Sequence, residues 1–247
     1  MQKIVIVGAT SAMAEHCARL WAAQGPVDFT LVVRDAHKAT AIADDLRVRS
    51  PGGRVRVLVA DFLTPAGIRA AVDQAAAGTP IDIALIAHGS LPDQKACETD
   101  LSACNEALQV NGVSPALFAE AFAGTMLAAG RGTLALIGSV AGDRGRKSNY
   151  AYGAAKGLVT RYAQGLQHRL AGSPIKVVLI KPGPTETPMT AHLAATGMRM
   201  APVEDVARDI VAAVTAGAPV AYTPGKWRII MMVIRHLPAF IFNKMNI

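Results

Sequence analysis

The chain has 247 residues, 51% of them apolar and 17% charged, with 25 Lys and Arg against 18 Asp and Glu for a formal charge of +7. That much apolar material fills a sizeable core, which excludes a disordered chain, and the length suits one large domain or two small ones. No uninterrupted apolar run reaches the roughly 18 to 20 residues of a membrane-spanning helix, and Met1–Gly8 lacks the basic start and cleavage site of a secretory signal, so a cytoplasmic protein is expected.

Met1–Gly8 reads as a first strand ending in the small-residue turn Gly8-Ala9-Thr10-Ser11-Ala12-Met13-Ala14, which opens a helix over Ala12–Gln24. Such a turn lets backbone approach a pyrophosphate, and the helix N-terminus supplies N–H groups and a partial positive charge. Gly8, Thr10, Ser11, Ala12, Met13 and Ala14 are therefore candidate dinucleotide contacts. The second strand, Phe29–Val33, runs into Arg34 and Asp35, where an adenosine ribose is expected. A guanidinium there can pair with a 2′-phosphate, which favours NADP(H); Asp35 leaves NAD(H) open. A helix over Ala36–Arg49, a strand over Val55–Ala60 and a helix over Thr64–Ala77 follow. Further strands are expected at Ile81–Ala87, Thr133–Ser139, Ile175–Lys181 and Val220–Tyr222. Short β-branched runs alternating with amphipathic stretches predict strands buried on both faces in a parallel sheet. The fold class is α/β, a Rossmann-like doubly wound sheet forming a single domain over 1–223, followed by an apolar and basic helical tail over 224–247.

Ser139 ends the fifth predicted strand, and thirteen residues later come Tyr152-Gly153-Ala154-Ala155-Lys156. Residues i and i+4 share a helix face, so the Lys156 ammonium can lie near the Tyr152 phenol. A free phenol titrates near pH 10, and a neighbouring cation favours its ionised form, bringing proton transfer within reach of neutrality. Tyr150 has Ala154 as its i+4 partner and is expected to point away, as packing or substrate wall.

Taken together these motifs resemble the short-chain dehydrogenase/reductase family from the first strand to about Tyr222. The resemblance rests on Gly8–Ala14, Asp61 after the third strand, Ala87-His88-Gly89 after the fourth, Asn111, Ser139, Tyr152 with Lys156, and Pro182-Gly183-Pro184-Thr185-Glu186-Thr187 after the sixth. It implies that Tyr152 is the general acid or base, that Lys156 holds the nicotinamide ribose and tunes Tyr152, and that Ser139 bonds the substrate carbonyl. Asn111 would hold a relay water at a helix irregularity. Asp61, with Phe62 beside it, looks like the adenine contact, Ala87–Gly89 the wall by the adenine ribose, and Pro182, Gly183, Thr185 and Thr187 the nicotinamide and pyrophosphate clamp. The resemblance also implies a homodimer or homotetramer pairing helix Tyr152–Ala171. Two departures stand out. Ala12 and Ala14 replace the turn's second and third Gly, which predicts weaker dinucleotide affinity, and His88 stands where an Asn would brace the sheet. His88 is expected to cap its strand, with a cofactor contact as the alternative.

Thr187–Ala201 is expected to form a substrate lid with an apolar wall from Met189, Met198 and Met200. Arg144, Arg146 and Lys147 read as a solvated loop, with an anionic substrate as the other option. The last 38 residues carry Lys226, Arg228, Arg235 and Lys244 and no acid, so +4 of the +7 lies there. With its Ile, Met and Phe, the stretch 226–247 fits either a peripheral contact with an anionic membrane or packing on the substrate lobe or a neighbouring subunit. Such a tail is similar to that of short-chain reductases acting on polyprenyl-linked keto sugars. Cys17, Cys97 and Cys104 lack the spacing of a disulfide framework or zinc site and read as buried or half-buried thiols, so no metal is expected. Nucleic-acid binding draws only on net charge and is set aside. A non-catalytic NADP(H) sensor is the competing class, but it would have no use for a tuned phenol.

Overall fold

The computed structural model describes residues 1–191, 197 and 199–245. Valine- and isoleucine-rich runs form β1 (Gln2–Val7), β2 (Val27–Val33), β3 (Arg54–Val59), β4 (Ile83–Ile86), β5 (Thr133–Ile137), β6 (Lys176–Pro182) and β7 (Val220–Thr223). All pair in parallel in the order β3-β2-β1-β4-β5-β6-β7. The chain winds outward from β1 to β3 and then crosses back to β4. A crevice therefore opens between the carboxyl ends of β1 and β4, the place where such sheets bind ligands. Val7 and Ile86 are register partners at that point.

One face is covered by α1 (Ala12–Ala22), α2 (Ala36–Arg49) and α8 (Val203–Ala216), with Trp21, Phe29, Leu46 and Ile210 in its core. The other face carries α3 (Pro65–Ala76), α6 (Ser114–Ala129) and α7 (Tyr150–Arg169) over Phe118, Phe122, Val159 and Leu166. Asp35 accepts from His37 N at 3.0 Å to cap α2, and Thr64 accepts from Gly67 N at 3.2 Å to cap α3. The expectation of strands buried on both faces fails at β3, which lies at the sheet's edge; its Arg54, Arg56 and Val59 lack the cover that a neighbouring strand and a second helix layer give the inner strands.

After β4 come α4 (Gln94–Thr99) and α5 (Leu101–Leu108), then a π-helical turn over Gln109–Val113 that leads into α6. The continuous stretch Leu101–Ala129 is long and apolar enough to span a membrane by length and composition alone, and reading uninterrupted runs passes over it. Phe118, Phe122 and Met126 spend that hydrophobicity on the sheet.

The tail does not stand apart from the domain. α9 (Lys226–His236) folds back beside β7, with Met231 fully buried, and α10 (Ala239–Phe242) follows it. Arg144 Nη1 donates to the carbonyls of Ile234 and Leu237, each at 2.6 Å, and its guanidinium lies 3.7 Å from the Phe242 ring centre. Satisfying those helix-end carbonyls is what a cation at a C-terminus does best. Arg144 was expected in a solvated loop, and that expectation is corrected here.

Candidate active site

The crevice between β1 and β4 is a groove lined by Gly8, Thr10, Ser11, Val33, Arg34, Phe62, Leu63, Ala87, His88, Gly89, Val110, Ser114 and Met189. Gly8 is required twice over. Its φ of +79° is a left-handed conformation, and a Cβ there would come within 2.6 Å of His88. Ser11 is the N-cap of α1, makes no side-chain cap hydrogen bond and lines the groove, so the start of the helix lies at the groove. Of the expected cofactor residues, Ala12, Met13 and Ala14 do not line the groove, and Ala14 is buried under the sheet. Asp61 is also absent from the lining: its carboxylate accepts from Leu63 N at 2.8 Å and Thr64 Oγ1 at 2.5 Å, bonds that hold its pKa below the usual carboxylate value.

Arg34 is exposed at the groove's mouth and enters no ion pair among the described residues. Asp35 beside it is already committed to the α2 cap.

His88 braces rather than caps. Its Nε2 lies 2.8 Å from Ser114 Oγ, which ties the end of β4 to α6, and its ring meets Phe62 and Phe118 edge-on at 4.9 and 5.5 Å. Burial, with help from the Lys156 and Arg34 charges, pushes its pKa down to about 3, so the imidazole is neutral.

At the far end, Gly89 packs against both Asn111 and Lys156. Asn111 sits in the π-helical turn, fully buried; its Oδ1 accepts from Ser90 N at 2.8 Å and its Nδ2 donates to Ala107 O at 3.0 Å. The turn packs against α7, consistent with the use of π-turns at functional sites. Tyr152 and Lys156 are one turn apart on α7, with the ammonium 5.8 Å from the phenol ring centre. Lys156 Nζ donates to Ile137 O at 3.0 Å, and burial lowers its pKa to about 8. Burial raises the Tyr152 pKa, while a hydrogen bond from Ser139 and the Arg146 charge pull the other way. Ser139 follows β5, and its Oγ accepts from Ala141 N at 3.1 Å. The four expected catalytic side chains thus come from three elements: the π-helical turn, the end of β5 and α7. Neither these four residues nor Tyr150, which is exposed, belongs to the groove's lining; the four lie beyond its Gly89 end.

After β6, Gly183 N donates to Thr223 O at 2.9 Å, Thr185 Oγ1 donates to Gly183 O at 3.0 Å, and Thr187 pairs with Thr190. Beneath them Lys181 and Asp143 form a buried ion pair, and Tyr222 OH donates to Asp143 Oδ2 at 2.7 Å. Burial and that carboxylate push the Tyr222 pKa up to about 12. Trp227 of α9 lies against Gly183: a Cβ there would fall 1.9 Å from Nε1. The tail therefore packs on the loop that follows β6. Of the expected lid, Met198 lies outside the described residues, while Met189 lines the groove.

A family model described as short chain dehydrogenase matches residues 2–197, and the chain belongs to that family of oxidoreductases. It is 31% identical over 246 residues to an uncharacterized oxidoreductase of Mycobacterium tuberculosis, covering 98% of this chain and 96% of that one. It is 29% identical to cis-4-hydroxycyclohexanecarboxylate dehydrogenase of Sinomonas cyclohexanicum, over 77% of this chain and 76% of that one. In structure it is similar to a short-chain dehydrogenase from Sphingobium yanoikuyae in complex with NADPH, with a TM-score of 0.83 at 23% identity, covering 100% of this chain and 97% of that one. That likeness, like the one to levodione reductase (TM-score 0.83, 22% identity, 91% and 96% covered), establishes the shared fold.

Proposed function

We propose that the protein is an NADP(H)-dependent carbonyl reductase or alcohol dehydrogenase in which Tyr152 is the general acid and base. The observation that carries this reading is the placing of Tyr152 and Lys156 one turn apart on α7, with the ammonium 5.8 Å from the phenol ring centre and Asn111 buried in the neighbouring π-helical turn. When bound, the nicotinamide supplies or accepts the hydride at the substrate carbon. The chain's own groups do the rest. Ser139 donates to the carbonyl oxygen, and Tyr152 gives that oxygen its proton as negative charge develops there. The raised Tyr152 pKa keeps the phenol protonated at neutral pH, the form reduction needs. Lys156 stabilises the phenolate left behind, and Asn111 holds the water through which the proton is replaced.

NADP(H) is favoured by Arg34, exposed at the mouth of the groove, and by the use of Asp35 as a helix cap. Thr10 and Ser11 take the pyrophosphate, and Pro182, Gly183, Thr185 and Thr187 take the nicotinamide side. α7 pairs with a second copy through Leu158 and its neighbouring small residues, giving a homodimer or homotetramer. The experiment that tests the reading is Tyr152→Phe. Ketone-dependent NADPH oxidation should fall by about 10² to 10⁴ while NADPH fluorescence still reports binding. Turnover that survives the substitution overturns it and leaves the sensor reading standing.

A second reading places the enzyme at a cytoplasmic membrane face, acting on a polyprenyl-linked keto sugar. Its support is the tail: Ile229 is 66% and Phe240 71% exposed, and the basic residues around them have no acid to balance them.

A further inference from the structure

The segment between Ser139 and Tyr152 holds four charged side chains, Asp143, Arg144, Arg146 and Lys147, and three of them are accounted for. Asp143 is engaged by Lys181 and Tyr222, Arg144 by the tail's carbonyls and Phe242, and Lys147 is exposed to water. Arg146 differs from all three. It is half-buried, and its Nε is sealed from solvent with no hydrogen-bond partner among the described residues. A guanidinium N–H left unpaired in such a place costs free energy, so a partner for it is expected to come from outside the chain.

Charge leads to the same place. The two groups whose charges act favourably on Arg146 are Asp143 and Tyr152. Asp143 is already paired with Lys181, so Lys181, Asp143 and Arg146 together leave one positive charge without a counter-ion. Arg228 and Arg235 of α9 act on the adjoining Tyr222 and add to the positive field. Among the described residues the site thus offers a planar, half-buried fork whose Nε has no partner, in the loop that leads into the helix of the reacting phenol.

We propose that Arg146 is a specificity residue that receives an oxyanion, a carboxylate or a phosphate, carried by the substrate, and thereby aims the reacting carbonyl at Tyr152 and Ser139. The proposal rests on the carbonyl reductase reading and narrows its substrate class to anionic ketones and secondary alcohols. A guanidinium matches either oxyanion through two parallel N–H bonds, whereas an ammonium would not fix orientation. Partial exclusion of water strengthens that pair without closing the site to a charged ligand.

The test uses the full chain with NADPH and two substrate pairs: 4-oxocyclohexanecarboxylate against its methyl ester, and dihydroxyacetone phosphate against dihydroxyacetone. The wild type should prefer the anion in at least one pair, and which pair responds separates a carboxylate from a phosphate. Arg146→Met should cut the anion-to-neutral ratio of kcat/KM by roughly 10- to 100-fold, the worth of one hydrogen bond to a charged group. Arg146→Lys should recover part of it, and NADPH fluorescence shows that both variants remain folded and bind cofactor. A ratio that does not change in Arg146→Met, or an equal loss on both members of a pair, overturns the proposal. A wild type that reduces neutral ketones as well as anionic ones defeats this inference alone. One that reduces neither class while binding NADPH defeats the reductase reading, and this inference with it.

Discussion

Gln94 Oε1 accepts the backbone N–H of Ala151 at 3.0 Å, so a side chain from α4 caps the helix that carries Tyr152 and Lys156. The N-cap position itself, Asn149, makes no side-chain cap. The start of the catalytic helix is thus set by a residue 57 positions away and nine-tenths buried, whose amide nitrogen is in turn held by Glu98 at 3.3 Å. Gln94→Leu leaves that amide without an acceptor at a cost of about 1–3 kcal/mol. For a chain of this size that is a fall in Tm of several degrees, read by calorimetry. Turnover should drop more than KM changes, because the displaced groups act on the transition state. An unchanged Tm would show that the hydrogen bond contributes nothing.

Lys156 gives the site a pH signature in stability as well as in rate. Its pKa is lowered from 10.5 to about 8 in the folded chain, with burial as the cause. Between those values the unfolded chain holds a proton that the folded one has released, so stability rises with pH across that window. Below pH 8 the buried charge costs the fold about 3 kcal/mol, at 1.36 kcal/mol per unit. Lys156→Met should therefore be more stable than wild type at pH 7, lose that advantage toward pH 10, and have no turnover at either pH. Urea unfolding at pH 7 and 9 provides the measurement. Parallel pH dependence in the two proteins would remove Lys156 as its source.

Arg34 should decide between the two nicotinamide cofactors. Arg34→Ser removes the one cation placed to meet a 2′-phosphate, which should weaken NADPH by about 10- to 100-fold and leave NADH within a few-fold. Steady-state kcat/KM with each cofactor measures this. Equal losses for both would assign Arg34 to the groove's general shape, and Asp35 would then have to be considered despite its cap.

What could be read from the sequence divides along physical lines. The β-branched runs and the turn after β1 gave the sheet and its ligand crevice, because burial on two faces and a backbone approach each demand particular residue types at fixed spacing. Tyr152 and Lys156 were legible because one helix turn separates them. Gln94 on Ala151, Trp227 on Gly183 and Arg144 on Ile234 were not, because each joins residues tens of positions apart and leaves no periodic trace. Arg146 was visible as a basic residue but not as a half-buried one. Burial in a loop depends on what packs over it in three dimensions, and no local pattern encodes that. The tail, which looked like a separate feature, packs on the loop after β6 through Trp227 on Gly183.

That result changes how the membrane reading must be tested. Deleting 226–247 would strip Trp227 from Gly183 and Met231 from the core, so a loss of vesicle binding would only report a damaged fold. Ile229 and Phe240 are exposed, and changing both to Glu leaves those contacts in place while placing two acids on the apolar face. Burying an Ile or Phe side chain contributes about 1.5–3 kcal/mol each. Binding to vesicles of phosphatidylglycerol and phosphatidylcholine should therefore weaken by at least about 10²-fold in the double variant, with soluble-ketone turnover retained. Lys226, Arg228, Arg235 and Lys244 should make wild-type binding fall as salt rises, each contributing about 1 kcal/mol near an anionic surface. Wild-type protein that stays in the supernatant with such vesicles at low salt would end the membrane reading. The exposed face of the tail would then be left as a surface for protein.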